Sequence, residues 1–119
     1  MLDVTPLQSA VDALADRLRS LPQSALSQGA AAEALALARQ LATRAQRIEQ
    51  PGRPPYEMPD AGMFAVGDQL AVAGHDLVEA LRAEAARVAD EPAESDAKAA
   101  PADALAEAVQ GVRAVADRC

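Results

Sequence analysis

The chain has no tryptophan, one tyrosine, one phenylalanine, one histidine and one cysteine in 119 residues. A lone Cys119 excludes an intramolecular disulfide and, with only His75 to help it, a structural zinc site built from cysteine and histidine. No metal or other cofactor is expected. The two aromatic residues, Tyr56 and Phe64, leave the core to smaller side chains: thirteen leucines, nine valines, and alanine at about a quarter of the chain. A core of that kind is thin, and small chains with thin cores commonly associate to bury more surface. Homodimerisation is expected.

Long apolar runs are also missing. No stretch approaches the roughly eighteen consecutive apolar residues that a membrane-spanning helix requires, so no membrane contact is expected. The first residues lack a basic patch followed by an apolar stretch, since Asp12 and Asp16 interrupt it, and a cytoplasmic location is the expectation. Positive charge is in short supply as well. Eighteen acidic against eleven basic residues give a net charge of −7, a sign that repels nucleic acid and anionic lipid, so no nucleic-acid partner is expected. Residues 1–55 carry five acids and six bases, residues 56–119 thirteen acids and five bases, so the acidity sits in the C-terminal half. Ten of the eleven basic residues are arginine, which with the alanine and proline load fits a GC-rich bacterial genome.

What remains is helix-forming sequence. Alanine is the best intrinsic helix former, and there are no alternating β-branched or aromatic runs to mark strands. The fold class is therefore all-α. Thr5-Pro6-Leu7-Gln8 offers a capping hydroxyl, a proline at the first helical position and a glutamine that can reach back, so a helix over 6–21 is predicted, with Leu7, Val11, Leu14, Leu18 and Leu21 on one face. A second helix is predicted over 24–50, through Ala34, Leu37, Leu41 and Ala45. It stops before Pro51-Gly52-Arg53-Pro54-Pro55. A third is predicted over 62–89, with Met63, Val66, Leu70, Ala73, Leu77, Leu81 and Val88 inward. The second and third are expected to form a long antiparallel hairpin, making a single helical domain over 1–89. Residues 90–100 are acidic, with one proline and no large apolar side chain, the composition of a flexible linker. A C-terminal helix over 101–119 completes a small bundle.

Two groups of residues are candidate contacts. Gly67, Ala71 and Gly74 flatten one flank of the third helix and allow close helix–helix approach, and Phe64 lies beside them as an anchor. In the stiff loop 51–61, Tyr56 and Met58 are the large side chains. One group is a candidate for chemistry: His75 with Asp68, Asp76 and Glu79. The i,i+4 spacing of His75 and Glu79 brings them within reach, as a general base or a metal site would need. Without a second histidine, a thiolate partner or a glycine-rich phosphate loop, no enzymatic activity is expected.

Tyr56-Glu57-Met58-Pro59-Asp60 resembles the Tyr-x-x-x-Asp signal of the WXG100-like proteins, small helical-hairpin substrates of type VII secretion. That resemblance implies an exposed Tyr56 and a protein found outside the cell. The residues themselves point first to a non-catalytic, self-associating helical protein that contacts another protein through helix packing, as an adaptor or regulator. The secretion substrate and a metal-binding or enzymatic bundle using His75 are the alternatives.

Overall fold

The alanine- and leucine-rich segments fold as their composition requires. The computed structural model describes residues 2–119, and among these there are helices and no strands. The first helix, α1, runs Thr5–Ser20 and buries Leu7, Val11, Leu14, Ala15 and Leu18. Its start differs slightly from the expected Thr5 cap. Thr5 is inside the helix, and its N–H donates to Asp3 Oδ1 at 3.0 Å. Hydrogen bonds from the Thr5 side chain and then its backbone hold the Asp3 carboxyl below the ordinary carboxylate range.

The predicted second helix is broken. A three-residue turn, α2 (Gln23–Ala25), leads into a widened turn over Leu26–Ala30 and then into α3 (Ala31–Glu49). The break lies at Gly29, whose φ of 137° falls in a region that side chains with a Cβ rarely enter. A Cβ there would meet no atom within 4 Å, so crowding plays no part and the cost of a side chain is backbone strain alone. Gly29→Ala is expected to lose about 1–3 kcal/mol in urea unfolding with an unchanged denaturant slope.

A short 3₁₀ turn, Met63–Ala65, precedes α4 (Val66–Arg87), which buries Val66, Gly67, Leu70, Ala73, Gly74, Leu77, Val78, Ala80 and Leu81. The last helix, α5 (Asp96–Arg118), begins upstream of the expected position and carries Pro101 inside it. The alanines of Asp96-Ala97-Lys98-Ala99-Ala100 have enough helix propensity to extend it through the proline. The segment joining α4 to α5 is therefore 88–95, with turn hydrogen bonds from Glu91 N to Val88 O and Ser95 N to Pro92 O.

Contacts along the helices fix their directions. Gly67 lies against Ala15 and Arg19, and Gly74 against Val11, so α4 runs opposite to α1. Arg44 pairs with Glu107 and Glu33 with Arg118, so α5 runs opposite to α3. The expected antiparallel hairpin does not form. Met58 O accepts from Arg39, and Val66 shares a groove with Leu26 and Leu35, so α4 starts beside the N-terminal half of α3 and runs parallel to it. The reason is the proline-rich segment 50–62. At about 3.3 Å per residue an extended chain of that length reaches roughly 40 Å, more than the ~28 Å of the 19-residue α3. It therefore travels back along α3 before α4 begins. The core between the four long helices is leucine, valine and alanine, with no buried polar or charged residue among those described.

Candidate functional site

Neither aromatic side chain enters the core. Tyr56 is 71% exposed and Phe64 is 72% exposed, and Val72, eight residues after Phe64 and within α4, is 59% exposed. The predicted contact face is split. Gly67 and Gly74 are buried under α1, where a Cβ on Gly74 would lie 2.5 Å from Val11 Cγ1. The flat flank is thus filled by α1 of the same chain, because bringing Val11 and Ala15 that close requires hydrogen in place of a side chain. Ala71 is half-buried, and Phe64 alone of the four stands open to solvent.

The polar group around His75 does not converge. His75 Nε2 lies 2.8 Å from Asp12 Oδ1 on α1, not on Glu79. Glu79 pairs with Arg82, and Asp68 accepts from Arg19 at 2.8–2.9 Å. Asp68 is the main reason the Arg19 guanidinium is held more firmly protonated than usual. Asp76 makes no ion pair among the described residues. His75 and Asp68 serve instead as links from α4 to α1, half or more exposed and therefore of modest energetic weight. No group of three potential metal ligands forms among the described residues.

The loop residues behave differently from each other. Met58 is half-buried and packs against the core, whereas the Tyr56 ring points away from it. The backbone beneath Tyr56 is clamped. Gln46 Oε1 accepts from Tyr56 N at 2.7 Å, and Gln46 Nε2 donates to Tyr56 O at 3.0 Å. Arg39 Nε donates to Met58 O at 2.8 Å, with Glu57 3.6 Å away, and Gln69 Nε2 donates to Pro59 O at 2.8 Å. The other end of Gln69, Oε1, is buried without a partner among the described residues. Asp60 accepts from Gly62 N at 2.8 Å, and Gly62 turns the chain into α4 with φ 95°. These clamps are single polar side chains on helix faces and follow no sequence pattern, so they were invisible in the primary structure.

Shallow grooves flank the bundle among the described residues. One, of about 470 Å³, runs between Leu26, Leu35 and Arg39 on one side and Met63 and Val66 on the other. The second, of about 410 Å³, lies between α1 and α5, lined by Ala10, Ala13, Val112 and Ala116 with Arg17 and Arg113 at its edge. At the end of α5 the Cys119 thiol is half-buried, and burial is the main cause pushing its pKa up, with Glu33 adding to it. A thiol held protonated is a poor nucleophile. No helix among the described residues is long and apolar enough to cross a membrane. No protein-family model, curated protein or solved structure matches the chain.

Proposed function

We propose that this is a non-catalytic, cytoplasmic helical interaction protein that associates with itself and engages a second protein, as an adaptor or regulator. The observation that carries the reading is the exposure of both aromatic side chains in a chain that has only two. Aromatic rings gain most from burial, and the core here was assembled without them. Aromatic side chains are enriched among the residues that carry binding energy at protein interfaces, and both rings here are open to a partner. Phe64 in the turn that precedes α4, Val72 on α4 and Tyr56 on the loop are the exposed large apolar side chains. The exposed Tyr56 also favours the secretion-substrate reading, but the parallel course of α3 and α4 argues against the hairpin that reading implies.

Light scattering tests the self-association. Wild-type protein is expected to exceed the 12.3 kDa monomer mass, and Phe64→Ser to return it to that mass. Because Phe64 is exposed, the substitution should change stability by no more than about 0.5 kcal/mol. A wild-type protein that stays monomeric at high concentration would remove self-association from the proposal.

A further inference from the structure

Residues 49–57 are all exposed, yet the chain there is held in one shape. Proline fixes φ at 54 and 55 and disfavours a helical conformation for the residue before each, which leaves Pro54 extended, while Arg53 sits at the bend that follows the turn at 51–52. Gln46 then grips both backbone groups of Tyr56, and Arg39 and Gln69 hold the carbonyls of Met58 and Pro59. The Arg53 N–H donates to Gln50 O at 3.1 Å and closes a turn, Pro54 and Pro55 leave that turn with φ fixed near the polyproline value, and the Tyr56 ring beyond them is turned outward.

The backbone chemistry narrows what can bind it. Pro54 and Pro55 have no N–H to donate, and the N–H and C=O of Tyr56 are already engaged by Gln46, so the stretch cannot add a strand to a partner's sheet. Flat proline rings and a tyrosine ring suit a groove lined by aromatic side chains, the mode by which polyproline segments are recognised. Arg53 makes no ion pair among the described residues, and its charge calls for a carboxylate at the groove's edge. Holding the ligand in its bound shape beforehand removes much of the ordering cost of binding.

We infer that Arg53-Pro54-Pro55-Tyr56 is a pre-formed polyproline-type ligand, displayed for a partner domain with an aromatic-lined groove and an acidic rim. The inference rests on the interaction-protein reading and names the partner's chemistry. The test is titration of the full-length, ¹⁵N-labelled protein with purified SH3, WW and EVH1 domains. At least one is expected to shift the amide signals of residues 50–57. Pro54→Ala with Pro55→Ala, and separately Arg53→Glu, should weaken that binding about tenfold or more. Gln46→Ala touches no partner but should weaken it roughly threefold or more by loosening the display, with helix content unchanged. No shift at 50–57 with any of the three domains, or binding that survives loss of both prolines, overturns the inference. The Phe64→Ser scattering result is independent of this titration, so failure of the loop and failure of self-association are separately visible.

Discussion

Substituting Gly74 by alanine is expected to destabilise the protein by about 1–3 kcal/mol, the range for an overpacked core. On an open helix face the same change would add stability, roughly 0.5–1 kcal/mol, because glycine loses more conformational freedom on folding. Geometry decides which effect wins. The new Cβ would stand 2.5 Å from Val11 Cγ1 and 2.7 Å from Cγ2, and Val11 is fully buried. A valine in a helix has essentially one side-chain rotamer, and turning it only exchanges one methyl for the other. The helices must therefore separate. Calorimetry should show a melting temperature lowered by roughly 4 °C for each kcal/mol lost. Gly111→Ala is the matched control. Its Cβ would rest 3.9 Å from Leu37 Cδ1, an ordinary contact, so propensity prevails and the melting temperature should rise. Adding Val11→Ala to Gly74→Ala removes the clash, so the pair should cost less than the sum of the two single changes. An unchanged or raised melting temperature for Gly74→Ala alone would mean that α1 does not cover that face.

Much of the helix layout could be read in the primary structure because it depends on local chemistry. Leu7, Val11, Leu14 and Leu18 in α1, Leu37 and Leu41 in α3, and Leu70, Leu77 and Leu81 in α4 lie on the predicted stripes and are buried. Alanine propensity and a 3.6-residue period are properties of neighbouring residues, and they survive without knowledge of the partner helix. Direction did not. The prolines of 51–59 mark the segment as extended and stiff, but its course back along α3 is set by Gln46, Arg39 and Gln69, three polar residues with no pattern among them. The site suffered from the same blindness. His75 has Glu79 one turn away, and local spacing selects that carboxylate; the structure selects Asp12, 63 positions distant in sequence. The predicted helix over 24–50 runs through Gly29, the point where the structure breaks it.

Leu77→Ala should carry the other large effect, a loss of about 2–5 kcal/mol. Leu77 lies midway along α4, with no exposed surface. α4 is bounded by α1 on one side and by α3, which it accompanies in the same direction, on the other. The loss combines the transfer free energy of the missing methyl and methylene groups with the cost of the cavity they leave, and the second part depends on whether neighbours can collapse into the space. Here they are poorly equipped to do so. The largest fully buried side chains are leucines and valines, none long or flexible enough to swing into the void as a methionine would. The glycine and alanine contacts between α1 and α4 already hold those backbones at their closest approach. The expected value is therefore in the upper half of the range, against a total stability of roughly 5–15 kcal/mol for a typical domain. Val72→Ala, on the exposed side of the same helix, should change stability by no more than about 0.5 kcal/mol. Urea unfolding of the two variants side by side checks the assignment: equal midpoints would mean that α4 presents a different face to the core.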